Sequence, residues 1–279
     1  MNTWKNSSLL TLLTCLLIAG CTIRPAKIFT GPDAEDGAPT QRLDPNSIPD
    51  AVPRHESPSK RGNPDTYVVF GKRYHVMNSS HGFSEKGIAS WYGTKFHGRL
   101  TSSGEPYDMY KMTAAHKNLP IPSYVEVTNL KNHRTTVVRV NDRGPFHDNR
   151  IIDLSYAAAT KLGILNEGTG LVHIRVVQPG ETAPTPVPAP QLASAAIEIE
   201  PNPTLFLQIG AFSSRINADR LRQRLSPSLA EQIRIQAAEN NGAAVYRVQV
   251  GPLRDVERVD LVTARLSDLG ISDSHVVIE

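Results

Sequence analysis

The sequence predicts two small folded domains in series, an all-β barrel over residues 64–178 and an α+β unit over residues 204–279. Fifteen of the 21 prolines fall within Pro25–Pro64 and Pro179–Pro203. Proline fixes φ and lacks an amide donor, so these stretches suit extended, solvated segments rather than packed elements. Two stretches remain that can build cores, and their apolar patterns differ. Tyr67–Gln178 carries many short β-rich runs between Gly- and Pro-marked turns, whereas Leu205–Glu279 mixes alternating runs with helical spacing.

Residues 1–20 read as a lipoprotein signal peptide. Lys5 supplies a short positive region ahead of the apolar run Leu9–Ala19, which is too short to span a bilayer. The run ends Ile18-Ala19-Gly20-Cys21, which resembles a bacterial lipobox, where small residues precede a cysteine that is acylated before cleavage. Cys15 would leave with the signal, so the mature chain would keep Cys21 as its single cysteine, without a disulfide. Several fatty chains on Cys21 suffice for stable anchoring. Thr22 follows the cysteine rather than Asp, which for lipoproteins of this type implies the periplasmic face of the outer membrane. Residues 21–63 hold hardly any apolar periodicity and are expected to form a disordered tether. Extended at about 3.1 Å per residue, it would reach on the order of 100 Å.

In the first domain, strands are expected at Tyr67–Phe70, Ile88–Tyr92, Tyr124–Thr128, Thr135–Asn141 and Leu171–Val177, each rich in β-branched or aromatic residues. One helix is expected at Tyr156–Leu162, with Ser155 as N-cap and Gly163 just past its end. Residues 179–203 then read as a Pro/Ala-rich linker. Further on, strands are expected at Leu205–Ile209, Ile233–Ala237, Ala244–Val250 and His275–Ile278. Ala218, Leu221 and Leu225, then Val259, Val262, Leu266 and Leu269, mark two helices. The resulting β-α-β-β-α-β order gives an α+β sandwich with both helices on one face of the sheet.

Polar residues in the first domain are concentrated. Gly87-Ile88-Ala89-Ser90-Trp91-Tyr92-Gly93 leads into Phe96-His97-Gly98-Arg99 and Thr101-Ser102-Ser103-Gly104-Glu105, followed by Thr113-Ala114-Ala115-His116. Val140-Asn141-Asp142-Arg143-Gly144-Pro145 precedes Arg150-Ile151-Ile152-Asp153-Leu154-Ser155. These runs resemble the rare lipoprotein A family over nearly all of Tyr67–Gln178. The resemblance implies a six-stranded double-psi β-barrel and a lytic transglycosylase site formed by Glu105, His116 and Asp142. It assigns Asp142 as acid/base, Glu105 as second carboxyl and His116 as a partner that orients or tunes one of them.

The chemistry asks for such groups. Glycosidic cleavage passes through an oxocarbenium-like state, so an acid must protonate the leaving oxygen. One carboxyl can act first as acid and then as base when the sugar's own 6-hydroxyl closes on the anomeric carbon. The residues alone leave other roles open. Asp142 beside Arg143 could brace a turn, His116 could be a satisfied buried histidine, and Asp153 suits the start of the helix at Ser155. Trp91 and Tyr92 point to opposite faces of a strand, so at most one faces a groove, and Tyr92 or Trp91 is a candidate sugar platform.

In the last domain, Gln208-Ile209-Gly210-Ala211-Phe212, Asn217-Ala218 and Tyr246-Arg247-Val248-Gln249-Val250-Gly251-Pro252 resemble a SPOR domain, which implies binding of glycan strands lacking stem peptides. Strand parity adds an independent expectation. Leu205, Leu207 and Ile209 share one face with Tyr246, Val248 and Val250, leaving Phe206, Gln208, Arg247 and Gln249 on the open side. Amide and guanidinium groups there suit sugar hydroxyls and acetamido groups.

The net charge is +3, with both signs mixed through both domains, so no basic stripe for nucleic acid is present. The sequence holds no HExxH, no zinc-spaced Cys or His cluster and no phosphate loop. Neither a metal nor an organic cofactor is expected. The reading is a monomeric, lipid-anchored peptidoglycan lyase, enriched at the division site, that cuts peptide-free strands. The alternative is a non-catalytic, expansin-like wall protein on the same scaffold.

Overall fold

The computed structural model describes residues 36–40, 42–181, 203–240 and 242–279. The signal peptide, Cys21 and most of the second proline-rich segment lie outside the described residues.

The chain first forms a hairpin of β1 (Thr66–Val69) and β2 (Lys72–His75), a separate two-stranded sheet. Its aromatic rings Tyr67 and Tyr74 stack at 5.2 Å, and both contact Phe146. This hairpin therefore packs outside the barrel. The barrel itself consists of β3 (Ser84–Tyr92), β4 (Thr113–His116), β5 (Ser123–Asn129), β6 (Thr135–Asp142), β7 (Arg150–Ser155) and β8 (Thr169–Val176). It closes in the order β3-β7-β4-β6-β5-β8. The β3–β7 and β4–β6 pairs are parallel and the others antiparallel.

Alternation along the strands fills the interior. Val125 and Val127, Val138 and Val140, Ile152 and Leu154, and Val172 and Ile174 are all fully buried. Against them packs α1 (Tyr156–Leu162), capped by the Ser155 hydroxyl, which accepts from the Ala158 amide at 3.1 Å. Gly163 ends the helix at φ 78°, a conformation that glycine adopts without Cβ strain.

Residues 42–63 depart from the expected disordered tether. Apart from a 3-10 turn at Pro45–Ser47 they are extended, as their prolines dictate, but they lie along the barrel and pair with it. Ile48 is buried in the barrel core. The Ala51 amide donates to the Val137 carbonyl at 3.1 Å, and the Ser59 amide to that of Ile121 at 2.8 Å. Asp50 accepts from Thr136 Oγ1 at 2.5 Å and pairs with Lys161 at 2.8 Å. The barrel supplies the donors and acceptors that water would otherwise satisfy. This segment cannot contribute to a solvated reach.

The second domain follows the expected order: β9 (Leu205–Phe212), α2 (Arg215–Leu225), β10 (Ile233–Asn240), β11 (Ala243–Leu253), α3 (Val256–Asp268) and β12 (His275–Ile278). The sheet runs β10-β11-β9-β12, antiparallel throughout. Leu205, Leu207, Ile209, Val248 and Val250 form one core with Ala218 and Leu225 of α2 and Val259, Val262 and Leu266 of α3.

Candidate active site

Across the outer wall of the barrel, Thr113 of β4 stands beside Arg139 of β6, which stands beside Tyr124 of β5. Val138 and Val140 point inward, so parity turns Arg139 and Asn141 outward. These residues line a groove of about 840 Å³, together with Glu105 from the preceding loop and, from the extended segment, residues 48–52, Arg54 and Glu56.

The loop that carries Glu105 is a tight turn. The Gly104 amide donates to the Thr101 carbonyl at 2.9 Å, and the Thr101 amide to the Glu105 carbonyl at 2.8 Å. Gly104 sits at φ +90°, where a side chain would strain the backbone. The Ser103 amide then donates to the Asn141 carbonyl at 3.2 Å, fastening the turn to the end of β6. Glu105 Oε2 accepts from Arg139 Nη1 at 2.9 Å and from Asn141 Nδ2 at 3.1 Å. Partial burial pushes the Glu105 carboxyl up, but the bonds from Arg139 and Asn141 and the Arg139 charge outweigh it, leaving it below the ordinary value. Glu105 is therefore ionised at neutral pH, with its side chain 46% exposed.

Asp142 is the last residue of β6, just beyond the groove lining, and is partly exposed. Its Oδ1 accepts from the Ser102 amide at 2.8 Å, the Ser102 hydroxyl at 2.6 Å and the Arg143 amide at 2.7 Å. Among the described residues no donor reaches Oδ2. One loop, Thr101–Glu105, thus touches Asp142 through Ser102 and presents Glu105 three residues later. The two carboxylates predicted from sequence lie at one end of the barrel, unsealed.

His116 takes a different part from the expected one. It is buried, and its Nδ1 accepts from the amides of Asn118 at 3.1 Å and Leu119 at 3.0 Å. Burial, reinforced by the charges of Arg143 and Lys117, pushes its pKa down to about 3. It bonds to neither carboxylate and instead holds the turn after β4. Arg143 pins that turn to the Asp142 strand by donating to the carbonyls of His116 and Leu119 at 3.1 and 2.6 Å.

Tyr92 is corrected as a sugar platform: it is buried, and Tyr107 stacks on its ring at 4.1 Å. Trp91 packs against Tyr156 and the core. Asp153 is not the helix cap; it accepts from the Ser90 hydroxyl, and burial raises its pKa. Among the groove residues that escaped the sequence reading are Arg139 and Glu56. Arg139 was detectable from its shared parity with Asn141, whereas Glu56 gave no signal inside a proline-rich stretch.

In the second domain Phe206, Gln208, Arg247 and Gln249 do share the face away from the helices, but only Arg247 is exposed. The other three are buried. The Arg234 guanidinium lies 3.4 Å from the centre of the Phe206 ring, and its Nε donates to Gln249 Oε1 at 2.8 Å. Arg234 also pairs with Glu279. The expectation of four open side chains fails in part because Arg234 of β10 covers two of them, Phe206 and Gln249.

Comparison with known proteins gives the same division. The lytic transglycolase family matches residues 84–174 and the SPOR domain matches residues 201–277. Fold and site together define a two-domain protein that joins a lytic transglycolase barrel to a SPOR module. A relative from Vibrio cholerae, an endolytic peptidoglycan transglycosylase RlpA, is 42% identical over 97% of this chain and 97% of its own. The RlpA of Pseudomonas aeruginosa is 39% identical, covering 84% of this chain and 82% of its own. The chain belongs to the RlpA family of endolytic peptidoglycan transglycosylases. A solved SPOR domain of RlpA from Pseudomonas aeruginosa is 26% identical, covering 26% of this chain and 96% of that one with a TM-score of 0.26.

Proposed function

We propose that the barrel cleaves the MurNAc–GlcNAc β-1,4 bond within peptidoglycan strands lacking stem peptides and leaves 1,6-anhydro ends. The single observation that carries this reading is the Thr101–Glu105 loop, which sets Glu105 in an open groove and, through Ser102, bonds to Asp142 just beyond its lining. Asp142 is the acid/base. Three donors engage Oδ1, so Oδ2 is the oxygen that carries the proton to the leaving glycosidic oxygen as the C1–O bond breaks. The 6-hydroxyl of the same MurNAc then attacks C1, and its proton returns to Oδ2. No water is consumed. Glu105, ionised, stabilises the positive charge that develops on the sugar ring. His116 acts through the turn that Arg143 fixes, as a positioning residue.

The SPOR module directs the enzyme to peptide-free glycan, with Arg247 as the accessible contact on its sheet face. Cys21 carries the lipid anchor at the periplasmic face of the outer membrane, and the SPOR preference enriches the protein at the division site.

The test is digestion of purified peptide-free glycan by the wild type and by Asp142→Asn, with products identified by mass. Anhydro-ended fragments from the wild type alone are the expected result. Products heavier by one water would make the enzyme a hydrolase. Equal turnover by the variant would remove Asp142 from the mechanism, and no fragments from the wild type would leave a binding protein of expansin type.

A further inference from the structure

The groove has a wall that lies outside the segment matched by the lytic transglycolase family, which begins at residue 84. Asp50, Val52, Arg54 and Glu56 line it from the extended segment, facing Glu105 and Arg139. This wall is built in. Ile48 is buried in the barrel core, Asp50 is bonded to Thr136 and Lys161, and Glu56 accepts from the Tyr124 hydroxyl.

The contacts of Glu56 reach the candidate catalytic carboxylate through a single intermediate. Arg139 donates from Nε to Glu56 Oε1 at 2.9 Å and from Nη2 to Glu56 Oε2 at 2.8 Å, a two-pronged pairing that fixes the plane of the guanidinium. Only Nη1 is left toward Glu105, at 2.9 Å. Both partners of this fork are largely enclosed, with side-chain exposures of 17% for Arg139 and 20% for Glu56. Glu105 is thereby restricted to one bond from Arg139, with its other oxygen left to the groove.

We propose that residues 48–56 form part of the saccharide site and that Glu56 is a positioning residue for Glu105, acting through Arg139. The proposal rests on the functional reading above. Without Glu56, Arg139 has Glu105 as its nearest carboxylate and turns its fork upon it, drawing Glu105 out of the groove. The substrate's distant contacts remain, so the effect falls on turnover rather than on binding.

The experiment uses the full chain with Glu56→Ala and Glu56→Gln, after thermal melts have established folding. With peptide-free glycan, Glu56→Ala is expected to lower kcat at least tenfold with KM changed less than threefold. Glu56→Gln, which keeps an acceptor for Arg139, is expected to recover part of that loss. Unchanged kcat in the alanine variant, or a loss confined to KM, would overturn the proposal.

A second measurement is independent of activity, so a wild type that proves non-lytic still leaves the proposal testable. The Glu105 carboxyl is followed by carbon NMR, assigned by its absence in Glu105→Gln. The charged groups lining this groove are Asp50, Arg54 and Glu56 from the extended segment, Asp108 and Lys111 beyond the turn, and Arg139 on β6. Removing the Glu56 anion and freeing Arg139 both favour ionised Glu105. Its titration is therefore expected to move to lower pH in Glu56→Ala. An unchanged or higher midpoint would overturn the coupling.

Discussion

Ser102 gives both its amide and its hydroxyl to the same oxygen of Asp142, at 2.8 and 2.6 Å. A side chain from the turn that carries Glu105 therefore orients the carboxyl assigned as acid/base. The hydroxyl bond is short, and in the proposed step its acceptor gains negative charge as the proton leaves Oδ2; a hydrogen bond to a charged partner contributes about 1.5–3 kcal/mol.

Ser102→Ala keeps the amide and the turn but removes the hydroxyl donor. If the bond shapes the reacting state, losing it costs about ten- to a hundredfold in kcat, since each ~1.4 kcal/mol is tenfold. KM on peptide-free glycan is expected to change little, because the groove lining is untouched. Steady-state kinetics on the purified variant checks this. A rise in KM at constant kcat would make Ser102 a binding residue instead.

His116 separates a structural from a titrating role. Its folded pKa of about 3 stands below the ordinary 6.5, so the unfolded chain takes up the proton first as pH falls. Its contribution to stability is fully present above pH 6.5 and declines toward about pH 3. Removing the ring leaves the Asn118 and Leu119 amides without their acceptor. His116→Ala is expected to cost about 2–4 kcal/mol, from lost hydrogen bonds and a cavity. His116→Asn, which can accept one of those bonds, should recover part of it. Urea unfolding at pH 7 and pH 5 checks both points, the wild-type advantage over the alanine variant shrinking at pH 5. The pH–rate profile of the wild type is expected to show no limb near 6.5 from this group; such a limb, lost in the asparagine variant, would restore His116 as a catalytic partner.

What the sequence made legible follows from local chemistry. The strands Tyr124–Thr128 and Thr135–Asn141 show in their β-branched and aromatic residues, and the capped helix at Tyr156–Leu162 announces both its ends. The strand Thr113–His116 was missed: it has four residues, two of them alanine, and is buried along its whole length, so it has no polar face to alternate with. Glu105 and Asp142 were paired by the resemblance of their glycine-flanked polar runs to the rare lipoprotein A family; the residues alone left Asp142 open as a turn brace. The binding of residues 42–63 to the barrel was not legible, since Pro-rich extended chain reads the same whether water or a protein wall satisfies it. The cover over Phe206 was hidden for a related reason. Parity tells which face Arg234 and Phe206 share, but not that the guanidinium sits over the ring.

That arrangement decides where the second domain can be tested. Arg247 is exposed on the sheet face, whereas Phe206 lies under Arg234 beside Gly251. Truncating an exposed arginine leaves the core intact, while truncating a buried phenylalanine costs about 3–5 kcal/mol through lost burial and a cavity. Arg247→Ala is therefore expected to weaken binding of peptide-free glycan severalfold with a wild-type melting profile. Phe206→Ala is expected to lower the melting temperature of the domain, with any loss of binding following the loss of fold. Pull-down on purified glycan, paired with calorimetric melts of the full chain, separates the two effects. Equal binding by Arg247→Ala and wild type would mean that sugar reaches the face elsewhere, and Arg234, which would then have to move aside, becomes the residue to change next.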